Sequence, residues 1–535
     1  MDNRTYLVAA LSGILSEVFI FSKGEWDRYA PAVVNSFTFL GASTFLAFKF
    51  LLGLSFTASL KKTTLHSTAL LAGLFGSIGV YRLFLHPLRA FPGPLPAKIT
   101  AWWIFKENCP DLKFYIKLRK LHDEYGDYVR IRPREISICH PDAVMDVHGP
   151  KSKVVKGEFY AQAYPHETLQ FTRDPALHRK KRPVWDKAFQ NKSVKEYMPR
   201  LEKHYGILMD IFSQHAASGK PINATQSFTY LGYDLISELI FGESFELLPT
   251  GKTNVVTSRL IQGKKAIGFA VITTWHTHIL RAFTRVGGDW MNWYNGALDK
   301  RKAMDLHSPD IYTHLSQSDT WEFDRQHEAR LAIAAGSDTV AITLTNICWF
   351  LSQCPDYQSK LFDEVGDLPS KNGLVDDQLL AHKPLLLGII NEALRLQPPV
   401  PSGVQRLTPP EGAVIAGRYI PGNTVVSTPT YSLHRDKRAF AKPDEFIPER
   451  WDSQPELTLR KDAFIPFSYG PYNCAGKSLA MMELRMIVAM LVKRFIISFP
   501  PGKEKEARSF IEEQADCFSM DLPPLLIVLK ERSSS

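Results

Sequence analysis

The sequence predicts a mainly α-helical protein with small β-sheets, carried behind an N-terminal transmembrane anchor. From residue 93 to the end, amphipathic helical stretches alternate with short segments punctuated by Pro and Gly, with no internal repeat and no long linker. Strand-like pieces are few: Val129 to Ile131, Ile136 to Cys139, Ala413 to Val426 and Leu525 to Leu529. Residues 1–92 differ in kind, because three apolar stretches dominate them.

Those stretches cover residues 6–22, 33–56 and 65–85, each near the ~20 residues that a membrane-spanning helix requires. Glu17 interrupts the first, and a carboxylate inside lipid costs roughly 3 kcal/mol unless it is paired or near an interface. One or two of the stretches could therefore lie on the membrane surface. No small-residue cleavage site follows the first, so it does not read as a removed signal peptide. If all three span, Arg82, Arg89 and Lys98 share a side with Lys23 and Arg28, against Arg4, Lys61 and Lys62, a bias that places the body in the cytosol. The sequon Asn3-Arg4-Thr5 is then lumenal. Next comes His86 to Pro94, where prolines fix the backbone and block helix continuation, a stiff hinge before a single domain over 93–535.

With 535 residues, 45% of them apolar and 22% charged, the chain can bury one large core or two ordinary ones. Lys and Arg number 64 against 55 Asp and Glu, but the excess is spread along the chain. That suits an anionic membrane face or an acidic protein partner and argues against nucleic acid. The six cysteines form no CxxC pair, as expected in a reducing compartment.

One cysteine stands apart. Cys474 closes the loop Phe464 to Gly476, immediately before an amphipathic helix expected over Lys477 to Arg494. Free N–H groups and the positive helix end there stabilise a thiolate, the form that binds metal. Gly470 and Gly476 let the backbone lie close against a flat macrocycle, and Phe467 can shield the sulfur from water. Two other readings compete. The stretch Gly470 to Ser478 ends like a phosphate-binding loop, but five residues separate its glycines where that loop has four, and no apolar strand leads directly into it. A buried structural cysteine before a helix is the plainer alternative.

The loop resembles the Phe-x-x-Gly-x-x-x-Cys-x-Gly signature of the cytochrome P450 superfamily, and its wording is similar to that of filamentous-fungal microsomal members that decorate terpenoids, alkaloids or polyketides. The resemblance implies haem b with Cys474 as axial ligand. It also implies electrons from NADPH through a cytochrome P450 reductase, with cytochrome b5 as a further donor, and residence in the endoplasmic reticulum membrane with the catalytic domain facing the cytosol. The implied reaction is monooxygenation of a hydrophobic small molecule. Alternatives are a haem-thiolate isomerase or dehydratase without dioxygen activation, and a haem-binding sensor without turnover.

Three further motifs follow the family's order. Ala335-Gly336-Ser337-Asp338-Thr339 lies in an apolar helical run, Ala329 to Leu351. By resemblance, Gly336 opens a space for dioxygen while Asp338 and Thr339 pass protons. The competing view is that Thr339 merely bonds a carbonyl one turn back and Asp338 faces solvent. Glu392 and Arg395 share a helix face, and by resemblance they join Arg450 in a buried ion network on the thiolate side. His178 and Arg182, in the basic run His178 to Arg182, would face the haem propionates, as would Arg406; Lys180 and Lys181 read better as a solvated face. Tyr472 is a departure, since many members carry Arg or His there, which leaves one propionate contact unassigned. His434 divides evenly between packing near the haem and a surface role. The pocket is expected to draw on Phe159 to Phe171, Ala332, Ala335, Pro401 to Val404 and Asp516 to Ser519, mostly small or apolar residues suited to a hydrophobic guest.

Overall fold

In a computed structural model of the chain, which describes residues 3–283, 288–304, 308–371 and 373–532, helices dominate and the sheets are small. Three apolar helices lead: α1 (Arg4–Ser16), α2 (Ala30–Leu46) and α3 (Phe56–Val80), prolonged by a widened turn to Phe21, Leu51 and Leu85. All are long and apolar enough to cross a membrane. α3 starts well before the expected Leu65 because Ser55 caps it, its hydroxyl accepting from the Ala58 N–H at 3.2 Å. Sequence hydropathy sees only the apolar part of that helix.

α1 and α3 run parallel. The Tyr6 ring lies 4.6 Å from that of His66, Gly13 meets the backbone of Leu70 and Leu74, and Gly73 meets that of Ala10. Bare Cα positions let the two backbones touch, as small residues do between helices in lipid. Glu17 is 4% exposed, with Arg82 as its opposite charge, so the carboxylate that weakened the first stretch has a partner.

The proline segment is packed as well as stiff. Leu88 and Phe91 are buried in a cluster with Ile136, Ile138, Ile415, Ile420 and Val426, and the Arg130 N–H donates to the Pro92 carbonyl at 2.7 Å. The main sheet holds β1 (Tyr128–Arg132), β2 (Glu135–Ile138), β3 (Val155–Lys156), β4 (Arg406–Leu407) and β5 (Val425–Ser427), in the order β1-β2-β5-β4-β3. Only β5 and β2 run parallel. The strand expected over Ala413 to Val426 is broken into a hairpin, Ala413–Ile415 with Arg418–Ile420, followed by β5, because Ala416 and Gly417 adopt positive φ and turn the chain. The last strand, Leu526–Glu531, pairs with Phe495–Ser498.

The remaining helices that build the site are α4 (Pro175–Phe189), α5 (Asn191–Ser218), α6 (Ala224–Phe241), α7 (Val255–Ile272), α8 (Thr274–Phe283), α9 (Trp321–Gln353), α10 (Pro384–Leu396) and α11 (Lys477–Arg494). α9 is apolar enough to span a membrane, yet 67% of its apolar window is buried inside the body, so it is a core helix. It packs against α6, α10 and α11. α11 has the bounds expected from the sequence: a run of good helix formers follows Gly476, and Lys493 and Arg494 complement the negative end of the dipole.

A Cβ at Gly73 would come within 2.0 Å of the Ala10 carbonyl oxygen, so Gly73→Leu is expected to push α1 off α3 at an overpacking cost of about 1–3 kcal/mol. Cysteines introduced by Tyr6→Cys and His66→Cys are expected to cross-link in the otherwise native chain and to stop doing so when Gly73→Leu is added.

Candidate active site

The loop ahead of α11 is shaped before it is functional. Gly470 sits at φ 67°, and a Cβ there would lie 1.9 Å from the His148 carbonyl oxygen, so no other residue fits. The chain turns over Gly470–Tyr472, and the Cys474 N–H donates to the Phe467 carbonyl at 2.9 Å. The N–H groups of Gly476 and Lys477 reach the sulfur. Burial pushes the Cys474 thiol up, opposed by the Gly476 N–H, the charges of Arg182 and Lys477, and the Lys477 N–H. The thiol lines a cavity, which explains why it is open to contact although it lies deep in the protein. A Cβ on Gly476 would meet nothing closer than 3.8 Å, so the surrounding protein does not require glycine there, whereas it does at Gly470. Phe467 lines the cavity beside the sulfur, with the Lys477 ammonium 5.7 Å from its ring.

Behind the loop, Glu392 gathers two arginines. Arg395 donates to it from Nε (2.9 Å) and Nη2 (2.7 Å), and Arg450 from Nε (2.9 Å). The Trp451 indole and the Ile447 N–H, both at 3.0 Å, complete its coordination. The remaining guanidinium donors hold the carbonyls of His434, Pro443 and Glu445 (Arg395) and of Ala441, Leu457 and Lys442 (Arg450). His434 is fully buried, which removes the surface role. Its Nε2 accepts from the Ile465 N–H at 2.9 Å, and burial, with Arg395 nearby, pushes its pKa down to about 3. An unbroken series of contacts thus runs from Glu392 through Arg395 and His434 to the Cys474 loop.

The cavity measures about 990 Å³, at the upper end of small-molecule sites. Along one side it gathers cations. Arg406 is 2% exposed and leaves Nε without a partner, its guanidinium 5.1 Å from the Tyr472 ring. Lys156, on β3, brings its ammonium within 5.2 Å of the same ring while donating to the Leu169 and Gln170 carbonyls. Burial first, then Arg406, pushes Lys156 down to about 7, and burial with Lys156, Arg182 and Arg406 pushes His178 down to about 3. Lys156 was missed by sequence reasoning: it is an isolated lysine among apolar residues, far from every motif. Arg182 lines the cavity, but most of its donors are spent on Asp186, Pro471 and Asn473. It braces the cysteine loop from α4. Lys181 corrects the expectation of a solvated face: it is buried between Asp324 (2.7 Å) and Glu328 (2.9 Å) of α9. Lys180 is exposed beside Asp319.

α9 presents Ala335, Gly336, Asp338 and Thr339 to the same cavity. The Thr339 hydroxyl donates to the Ala335 carbonyl at 3.0 Å, and Asp338, rather than facing solvent, pairs with Lys264 of α7 at 3.2 Å. The missing side chain of Gly336 faces Ile236, which a Cβ would approach to 2.9 Å. The glycine therefore serves the packing of α6 on α9, and any opening there is shared with Ile236.

Phe159, Phe171, Ala332, Ala335, Gly403, Val404 and Cys517 to Ser519 line the cavity as expected. Pro401, Ser402 and Asp516 do not: the Ser402 hydroxyl donates to Asp516 at 2.5 Å and ties the two loops together behind the wall. The far wall is more polar than expected, since His327, Arg330 and the Lys264–Asp338 pair share it with apolar residues of α6, α7 and α8.

The arrangement fits a flat dianionic macrocycle: a thiol under helix N–H groups at one wall, an orphaned arginine nitrogen with further cations along another, and small residues where a ring would lie. Comparison with known proteins agrees. The family model described as Cytochrome P450 matches residues 92–286 and 316–517. Among curated proteins, the chain is 35% identical over 534 residues to cytochrome P450 monooxygenase nodW of Hypoxylon pulicicidum, covering 99% of this chain and 98% of that protein. It is 33% identical over 547 residues to cytochrome P450 monooxygenase phqL of Penicillium fellutanum, covering 99% and 96%. It is 34% identical over 542 residues to tryprostatin B 6-hydroxylase of Neosartorya fischeri, covering 98% of each.

Glu392→Ala leaves two fully buried guanidiniums without their carboxylate, and a lowering of stability by about 3–5 kcal/mol is expected. Thermal unfolding of the purified full chain checks it, with Lys180→Ala as the exposed control expected to stay within about 0.5 kcal/mol.

Proposed function

The chain belongs to the cytochrome P450 family, an oxidoreductase family, and from that premise we propose that it is a membrane-anchored monooxygenase that inserts one atom of dioxygen into a hydrophobic product of fungal secondary metabolism. The observation that carries this reading is that Cys474 and the Asp338–Thr339 turn of α9 open onto one cavity. A haem held there by Cys474 would supply reductive activation of dioxygen.

The residues of the chain do the rest. Gly476 and Lys477 hold charge on the sulfur through their N–H groups. The Glu392 network, acting through His434, fixes the position of the loop. Arg406, His178 and Lys156 would take the haem carboxylates, with Lys156 supplying the cation that Tyr472 does not. Thr339 spends its proton on the Ala335 carbonyl, so its oxygen is left to accept from a water, and Asp338 in the next position, paired with Lys264, places a carboxylate beside it. The apolar walls admit a hydrophobic guest. The acid–alcohol pair favours oxygenation over rearrangement or dehydration, which need no proton delivery to dioxygen. The relatives named as monooxygenases and as a hydroxylase support turnover rather than sensing.

Electrons come from NADPH through a membrane reductase, with cytochrome b5 as a further donor. The three N-terminal helices anchor the chain in the endoplasmic reticulum, residues 93–535 on the cytosolic side and the N-terminus in the lumen. A glycosylation tag placed before Met1 is expected to be modified in microsomes, and the same tag after Ser535 is not.

The reduced, carbon-monoxide-treated protein is expected to show the red-shifted Soret band of a thiolate-bound haem, and Cys474→Ser to lose it; an unshifted band in the native chain would sink the proposal. Thr339→Ala is expected to lower product formed per NADPH by about tenfold or more while NADPH is still consumed. Burial and Arg406 push Lys156 down to about 7, and haem carboxylates held by it would raise that value, so that binding would take up a proton above neutral pH. Haem affinity is therefore expected to fall as pH rises from about 7 to 9, and Lys156→Met to flatten that slope. Haem transfer to apomyoglobin at several pH values measures it.

A further inference from the structure

The turn between α1 and α2 does not hang free. The Arg173 guanidinium grips Glu25 with two parallel bonds, Nη1 to Oε2 at 2.6 Å and Nη2 to Oε1 at 2.9 Å. Arg134 donates to the Gly24 carbonyl at 3.0 Å, the Thr274 hydroxyl donates to Asp27 at 2.5 Å, and the Arg28 guanidinium lies 3.4 Å from the centre of the Tyr164 ring. Arg134 stands in the turn between β1 and β2, and the other partners come from two separate walls of the cavity. Arg173 and Tyr164 belong to or close the segment whose Phe159, Tyr160 and Phe171 line it, and Thr274 opens α8, whose Thr277 and Leu280 line it from the other side. The two walls meet directly where Arg281 donates to the Gln162 carbonyl. The turn therefore lies across a seam in the cavity wall and is fastened on both sides of it.

We propose that residues 23–29 form a strap that holds this seam closed, so that Glu25 is a positioning residue governing how fast guests enter and leave the cavity; this rests on the haem-binding reading above. A single exposed ion pair contributes little. Here a bidentate pair, a backbone bond, a hydroxyl bond and a cation–π contact are borne on one short turn that is itself fixed at both ends by helices, so little further entropy is lost in making each. The consequence is that the N-terminal helices serve more than attachment: they deliver a piece of the cavity's rim.

The test uses the full chain in lipid nanodiscs with 4-phenylimidazole as probe, its arrival at the haem followed by the Soret shift in a stopped-flow instrument. Glu25→Lys is expected to speed both entry and exit by about threefold or more, the scale of one such contact, and the exchanged pair Glu25→Arg with Arg173→Glu to restore the native rates. Hydrogen exchange in peptides covering residues 158–173 and 274–283 is expected to quicken in Glu25→Lys, with α11 unchanged. Unaltered rates and unaltered exchange would overturn the strap, as would a reversed pair that fails to restore them. Should Glu25→Lys not accumulate folded, Asp27→Asn combined with Thr274→Val removes one fastening without introducing a charge and is read the same way. If the native chain lacked the thiolate spectrum, the haem reading would fall, and the exchange measurement, which needs no haem, would still decide the strap.

Discussion

A single carboxylate, Glu392, at 0% exposure between two equally buried arginines, is the interaction on which the cysteine side of the molecule depends. Buried ion pairs seldom stabilise for their own sake, since desolvation consumes most of the Coulomb gain. What this one supplies is donors. From His434 to Leu457 the chain is largely irregular, so its carbonyls lack the ladder partners that strands would provide. Arg395 and Arg450 satisfy six of them and thereby hold in place the stretch that leads to the Cys474 loop.

The cavity side follows the opposite rule. Arg406, Lys156 and His178 crowd together, and burial and mutual repulsion depress both Lys156 and His178. The network around Glu392 is complete in itself, whereas this cluster is left short of negative charge by the protein. The first arrangement is what structure requires, and the second is what an anionic guest requires.

The fold class, the three apolar helices and the bounds of α11 were legible because each rests on local pattern: apolar runs, a glycine followed by helix formers, a basic last turn. The cysteine loop was legible from the spacing of its Phe, Gly and Cys, although Gly470 is forced by the His148 carbonyl and does not line the cavity, where the sequence had it facing a flat guest. Other features were not local. Lys181 stands in a run of basic residues that reads as a solvated face, and only the approach of α9, more than a hundred residues away, brings Asp324 and Glu328 to it. The same holds for Glu17, whose partner Arg82 lies two helices on, and for Asp338, claimed by Lys264 of α7. The break of the expected strand at Ala416 was hidden because alanine seldom turns a chain with positive φ. Gly336 could be read from sequence as an opening, but Ile236 beside it could not.

Tyr472 and Lys156 are separated by more than three hundred residues and joined by one contact, an ammonium 5.2 Å from an aromatic centre. A basic residue at 472 would set a third cation against Lys156 and Arg406, and an apolar residue at 156 would leave the phenol with one cation fewer and the rim short of charge. Neither position can therefore change its chemical character alone without penalty.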